Sequence, residues 1–305
     1  MRLNPIVKKD VRVQSRSMKI CFGVFAYVLI LALAFFLAMF VIEENNVYSS
    51  ENIYSQLVWL YPILAVTQLI ILGVIVPVRT ASSISGEKER QTFDIMMTTG
   101  MTPFSVILGK VMTAIVQSML FIAASLPIMA LSFVVGGMSW GYLFWFFAIA
   151  LLVSFFSASI GIFCSSLCKR SVSAVIMSYG FYILFFLVTA VPAILYGIYS
   201  VNLLYANGVA SSRYSYGENA YLPLMLNPAV YLIEFFTEIM TGESLVNEIA
   251  DLGVIANVRG PIRLVTTGHR WMIVSTVLFL AVSFLFLWIA ARRIDPVRKR
   301  VKKRA

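Results

Sequence analysis

Six long apolar runs dominate the sequence and limit the folds open to the chain. They contain no Asp, Glu, Lys, Arg or His, and they cover Ile20–Ile42, Leu57–Val78, Val111–Val135, Trp140–Leu167, Val172–Tyr199 and Trp271–Ala291. In a helix, about 20 apolar residues cross the hydrocarbon core of a bilayer. Only helices and closed barrels satisfy the backbone in lipid, and these runs are continuous rather than alternating. The sequence therefore predicts an all-α membrane protein with six transmembrane helices.

Composition supports lipid as the solvent. Hydrophobic residues make up 60% of the chain and charged residues 12%, whereas soluble domains have about 45–50% and about 25%. Close packing of the helices is predicted by small residues in the fourth run, namely Ser154, Ser157, Ala158, Gly161 and Ser165.

The basic residues indicate the orientation. Most of the 24 Lys and Arg residues lie before the first run, between runs two and three, between runs four and five, and after run six. Because positive residues concentrate in cytoplasmic segments, both termini are predicted to be cytoplasmic in a multi-pass plasma-membrane protein. The net charge of +10 then reflects topology and contact with anionic headgroups rather than nucleic-acid binding.

The segment before the first run has two faces. Asn4 and Pro5 can cap and begin a helix. Helical spacing places one set of residues on an apolar arc, Leu3, Val7, Val11 and Met18, and another on the basic side, Lys8, Lys9, Arg12, Arg16 and Lys19. An interfacial amphipathic helix over residues 1–19 is expected.

The charged stretch between runs two and three is expected to form a short helix. Ser85 or Gly86 can start it, which would put acidic side chains in its first turn. Phe93, Met96 and Met97 have the spacing of a single apolar patch. Gly100 can end the helix, and Thr102-Pro103 can start the next. These residues alone leave two readings open, a helix resting on headgroups and a helix that docks a partner.

Between runs five and six, Asn227-Pro228 can cap a helix that runs to Thr241-Gly242. It is too short to span and is expected to be an outer re-entrant or interfacial helix. A polar stripe on it could line an exit route, bind a cation or form a solvated face of a lid, and the solvated face is favoured; the stripe consists of Glu234, Thr237, Glu238 and Thr241.

The stretch "GEKERQTFDIMMTTGMTPFSVILGK" resembles the signature of the type-2 ABC-transporter permease family, and Asn227-Pro228 resembles a second family motif. The stretch departs from that pattern at Gln91, where Gly is usual, and at Gly100, where Pro is frequent. The resemblance implies one permease domain over residues 1–305, with spans one to five in 20–199, an external region in 200–270, span six in 271–291 and a basic tail in 292–305. It also implies a cytoplasmic coupling helix that docks an ATPase through Glu87, Lys88, Glu89, Arg90, Thr92, Phe93, Asp94, Met96 and Met97.

The implied partners are ABC ATPase subunits, a second permease subunit and membrane lipid. ATP and Mg²⁺ are expected on the ATPase, because the motif G-x-x-x-x-G-K-[ST] is absent: Phe104 stands where Gly109-Lys110 would need the first glycine. No cofactor, metal site or enzymatic activity is expected in this chain. Apolar runs without charge favour an amphipathic or apolar cargo such as a peptide, lipid or drug-like molecule. The resemblance leaves glycans open as another cargo, since related permeases handle them and aromatic residues are frequent in this chain, and the expected direction is export.

Two other function classes remain open from the residues. One is a channel or scaffold subunit without ATP coupling. The other is an intramembrane enzyme, suggested by Glu43-Glu44 but disfavoured because the Arg expected after such a pair is missing and His269 is the sole histidine.

Overall fold

A computed structural model of the chain describes residues 5–15, 17–48, 57–98, 102–136, 140–207, 223–241 and 270–294. Within these ranges the chain is helical, with a short 3₁₀ turn at 223–226 and no strand. The helices are α1 (Pro5–Ser15), α2 (Met18–Tyr48), α3 (Leu60–Glu89), α4 (Thr92–Thr98), α5 (Pro103–Gly136), α6 (Trp140–Leu167), α7 (Ser171–Asn207), α8 (Pro228–Thr241) and α9 (Arg270–Ile294).

Six helices in the described part of the chain, α2, α3, α5, α6, α7 and α9, are long and apolar enough to cross a membrane. The predicted all-α fold with six transmembrane helices is confirmed. Several helices extend past their apolar runs: α3 continues from Val78 to Glu89, and α7 continues from Tyr199 to Asn207. A helix can continue beyond the hydrocarbon core because its intrahelical hydrogen bonds are retained while its side chains reach headgroups and water. Of the predicted basic tail, residues 292–305, the first three residues form the end of α9, and residues 295–305 lie outside the described residues.

The first helix begins at Pro5, as its sequence predicts, while Asn4 lies outside the described residues. Val7 is buried, and Lys8 and Lys9 are exposed. Met18 differs from the prediction, because it begins α2 instead of continuing the apolar arc of α1. The first helix ends at Ser15, and Met18 is the first residue of the second helix.

The chain divides into two compact units, residues 1–179 with 283–305, and residues 180–282. In the first unit, α3 packs against α6 through the predicted small residues. Thr80 lies so close to Gly161 that a Cβ on this glycine would overlap the threonine side chain. Ser154, Ser157 and Ala158 are buried along the same helix. Small side chains thus allow the backbones of α3 and α6 to approach closely.

The second unit contains α8 with most of α7 and the first half of α9. Its apolar core is built around Met225 and Trp271, with partly buried Val230, Val274 and Leu278 packed against them. The core places the 3₁₀ turn and the start of α8 against α9.

Candidate functional site

The α3–α4 segment, residues 87–98, consists of the last turn of α3, a two-residue turn and α4. The prediction that a new helix starts at Ser85 or Gly86 is wrong, because α3 continues through both residues to Glu89. The break falls at Gln91, whose φ of 59° lies in the left-handed region. A glycine adopts that conformation at the lowest cost. The signature that this stretch resembles has Gly at this position, a residue that the left-handed conformation favours.

The other end of this connection is as predicted. Thr102 precedes α5, its hydroxyl accepts a hydrogen bond from the Ser105 N–H at 3.3 Å, and Pro103 is the first helical residue. Gly100 lies outside the described residues.

Glu87 belongs to a charge network that joins three helices. The Lys110 ammonium on α5 donates to Glu87 Oε1 at 2.7 Å and to Asp10 Oδ2, on α1, at 2.9 Å. The Lys110 side chain is only 8% exposed. Burying a charge is costly unless it is paired, so the two carboxylates compensate this ammonium and hold α1, α3 and α5 together. We call Lys110, Glu87 and Asp10 the Lys110 network.

Lys88 reaches the C-terminus of α6. Its ammonium donates to the backbone carbonyls of Ser165 at 3.2 Å, Ser166 at 2.6 Å and Cys168 at 3.2 Å. The last carbonyls of a helix have no intrahelical partner and carry the negative end of the helix dipole. The same ammonium lies 5.9 Å from the centre of the Phe93 ring. Lys88 therefore caps α6 and contacts α4.

Glu89 reaches the N-terminus of α7. Its Oε2 accepts hydrogen bonds from the backbone N–H of Ser171 at 3.2 Å and from the Ser171 hydroxyl at 2.8 Å. An acidic group is stabilised at a helix N-terminus. The sequence predicted this stabilisation at the start of the helix that contains Glu89 itself, whereas Glu89 contacts the N-terminus of α7. Three successive charged residues thus contact three different helices. We call the end of the spans where these contacts lie the charged end.

The apolar patch predicted on α4 exists and faces the interior of its unit. Phe93 is 9% exposed and joins a buried cluster with Ile84, Ile107 and Val111, on which Met96 and Met97 also pack. The opposite face carries exposed Thr92, Thr98 and Ile95, the last of which is 67% exposed. Ile95 was not among the residues predicted to dock the ATPase. Its offset of two residues from Phe93 already placed it on a different side of the helix from the apolar patch.

Two further residues were predicted to belong to the coupling helix, Arg90 and Asp94. Arg90 is exposed in the turn before α4, and the side chain of Asp94 lies outside the described part of the structure.

The predicted outer helix, α8, starts where its sequence indicates. The Asn227 Oδ1 atom accepts a hydrogen bond from the Ala229 N–H at 3.0 Å, and its Nδ2 atom donates to Thr189 Oγ1 on α7 at 3.0 Å. The Tyr231 and Thr276 hydroxyls are 2.9 Å apart, which links α8 to α9. Neutral side chains make these contacts within the second unit.

The polar stripe on α8 is not a uniformly solvated face. Glu234 is 1% exposed, so the favoured expectation of a solvated face is wrong at this residue. Tyr231 and Phe235, which share its face of the helix, are also buried, so this side of α8 packs into the unit. Thr237 donates to its own helix, at the Ile233 carbonyl 2.9 Å away. The side chains of Glu238 and Thr241 lie outside the described residues.

The sequence matches the family model described as "ABC-2 family transporter protein" over residues 47–292. Because this match covers more than half of the chain, the protein belongs to the ABC-2 family of transporter proteins. With its six apolar helices it is a multi-pass membrane protein and a permease subunit of an ABC transporter. No curated protein matches the chain.

Proposed function

We propose that the α3–α4 segment docks a separate ABC ATPase subunit and carries the motion of that subunit into the spans. The two faces of α4 support this proposal. Phe93, Met96 and Met97 anchor one face in the chain's own core. The other face leaves Ile95 exposed between two threonines, at the charged end. An anchored helix with an exposed apolar residue and a polar rim suits a protein contact.

The contacts of residues 87–89 provide a path for the motion. A displacement of α4 would reach α5 and α1 through the Lys110 network. It would reach α6 through Lys88 and α7 through Glu89. Packed side chains and ion pairs transmit displacement because they resist continuous deformation. ATP binding would close two ATPase subunits and move two such segments together. ATP and Mg²⁺ are held by the ATPase on this proposal.

The remaining features of the proposal follow from charge and burial. The charged end faces the cytoplasm, as do both termini, because Lys and Arg concentrate there. The segment containing α8 then faces outside. Two permease subunits, identical or related, assemble with two ATPases in the plasma membrane.

Export of an amphipathic or apolar cargo is favoured because the interior of the spans offers neutral polar groups. Gln68 is fully buried in α3, and neither of its side-chain polar atoms has a hydrogen-bond partner among the described residues. An amide can recognise a polar group on a largely apolar cargo without the cost of a buried charge.

Substitution of Ile95 tests the docking site. Ile95→Asp places a charge on the exposed face of α4, and we expect it to weaken co-purification of the co-expressed ABC ATPase by at least about tenfold, the effect of about 1.4 kcal/mol. Val172→Asp is the matched control, since Val172 is 70% exposed at the start of α7 near the same end. Membrane insertion of both variants should equal that of the wild-type chain.

A second readout separates docking from other roles. In proteoliposomes that contain the permease and the ATPase, Ile95→Asp should lower ATP-dependent transport, while Ile95→Leu should retain it. Undiminished ATPase binding by Ile95→Asp would refute docking at this face. Transport that proceeds without the ATPase would favour a channel instead.

A further inference from the structure

A cavity of about 350 Å³ lies at the charged end and is lined by residues of α1, α2, α3 and α5. Its charged lining consists of three basic side chains, those of Lys19, Arg79 and Lys110, and one acidic side chain, that of Asp10. The family membership and the docking of an ATPase assign no role to this cavity.

The charges around the cavity are unevenly compensated. Lys110 is already paired with Asp10 and Glu87. Arg79, by contrast, donates to a neutral acceptor, Gln117 Oε1, at 3.2 Å, and its guanidinium lies 5.5 Å from the centre of the Phe121 ring. No carboxylate is within ion-pair distance of Arg79 or Lys19 in the part of the chain that the structure describes. A half-buried guanidinium without a counter-charge favours binding of an anion.

The donors of the cavity suit a group with several acceptor oxygens. Ser82 and Ser83 donate to carbonyls of their own helix, at Arg79 and Thr80, so their hydrogens are already used. Gln117 accepts from Arg79 through Oε1, which leaves its amide N–H₂ as a donor. Together with the guanidinium and the Lys19 ammonium at the exposed rim, this amide forms a set of donors. The acidic residue of the lining, Asp10, is paired with Lys110 and not with these donors. Phosphate, with its negative oxygens, matches such a set.

We propose that this cavity binds the phosphate of an anionic lipid headgroup. The exposed apolar side chains next to its rim favour a lipid over a free anion: Met18 is 83% exposed and Phe22 is 73% exposed on α2. Acyl chains can lie along these residues while the headgroup enters between α2, α3 and α5. The volume is within the range of small-molecule sites, about 300–1,000 Å³. A bound headgroup would join α2 to the helices of the Lys110 network.

Binding to the purified full-length chain tests the proposal without the ATPase, so it is independent of docking. Native mass spectrometry in detergent would follow titration with dioleoyl phosphatidylglycerol and, separately, dioleoyl phosphatidylcholine. Phosphatidylglycerol should bind more tightly than phosphatidylcholine. Arg79→Gln and Lys19→Gln should each weaken phosphatidylglycerol binding by about fivefold or more. Lys169→Gln, at an exposed basic residue that does not line the cavity, should leave it unchanged.

Competition distinguishes the source of the phosphate. If millimolar inorganic phosphate displaces phosphatidylglycerol from the wild-type chain, the anion site stands and a free phosphate can occupy it. If inorganic phosphate has no effect, the lipid is the ligand. Lys19→Gln makes the proposal testable even if Arg79→Gln fails to fold, because Lys19 lies at the rim. Equal binding of the two lipids, or equal phosphatidylglycerol binding by wild type and Lys19→Gln, would overturn the proposal.

Discussion

Side-chain contacts join helices both at the charged end and around α8, but the side chains are ionised in the first region and neutral in the second. At the charged end, α1, α3, α5, α6 and α7 are joined by ionised side chains, among them Lys110, Lys88 and Glu89. Around α8, neutral groups make the joints, such as Asn227 with Thr189 and Tyr231 with Thr276. Both regions connect helices that are distant in sequence, and their contacts have similar lengths.

Under the proposed docking of an ATPase, we expect this difference to decide which contacts between helices carry motion. A charge that loses its partner in a poorly hydrated site costs several kcal/mol, whereas hydrogen bonds between neutral side chains in membrane proteins average about 0.6 kcal/mol. Under the proposed function, we therefore expect helices joined by charged side chains to move as units, and contacts between neutral side chains to break and reform during transport. Substitutions of the charged residues should therefore lower the free energy of unfolding more than substitutions of the neutral residues around α8.

Replacing Lys110 should have the largest effect. Lys110→Met leaves the Glu87 and Asp10 carboxylates facing each other without a cation. We expect a loss of about 3–5 kcal/mol in the free energy of unfolding, since removing one member of a buried ion pair exposes the full desolvation cost of the other. Equilibrium denaturation in detergent micelles measures this change.

The matched control is Lys169→Met, at an exposed lysine, which should change the free energy of unfolding by about 0.5 kcal/mol or less. Neutralising the whole network with Lys110→Met, Glu87→Gln and Asp10→Asn should recover much of the loss, because no unpaired charge then remains. If Lys110→Met were as mild as the control, the contrast between the two regions would fail.

The sequence predicted the features that depend on neighbouring residues. Long uncharged runs showed the six spans, Asn227-Pro228 showed the start of α8, and the spacing of Phe93 and Met96 showed one apolar face of α4. Each of these signals lies within one helix, where geometry links spacing to direction.

Features that depend on contacts between helices were missed. Lys110 counted only as a basic residue near a span, because Asp10, its partner, is 100 positions away in sequence. Glu89 was assigned to the start of its own helix, whereas the N-terminus that it stabilises belongs to α7. Phe93 is buried in its unit because residues of α5 and α9 belong to the core on which it packs. The sequence pattern of α4 alone contains no information about those two helices.

Replacing Lys88 should have an intermediate effect. Lys88→Met removes the cation from three carbonyls at the end of α6. These acceptors are neutral, so the substitution leaves no unpaired charge behind. Hydrogen bonds to charged groups contribute about 1.5–3 kcal/mol, and we expect a loss of this size in the free energy of unfolding. Arg90→Met, two residues away and exposed, is the control. A loss as large as that of Lys110→Met would mean that carbonyl capping, rather than ion pairing, dominates this end.

Removing the Tyr231 hydroxyl should have the smallest effect of the three. Thr276 Oγ1 already donates to the Met272 carbonyl at 2.7 Å, so Tyr231 is the donor in the contact between the two hydroxyls. Tyr231→Phe deletes that donor but leaves Thr276 hydrogen-bonded and the ring packed 5.8 Å from Phe279. The expected loss is about 0.6 kcal/mol in the free energy of unfolding. A double-mutant cycle with Thr276→Val measures the coupling directly, and a coupling above about 2 kcal/mol would show that neutral joints resist breaking as strongly as charged ones.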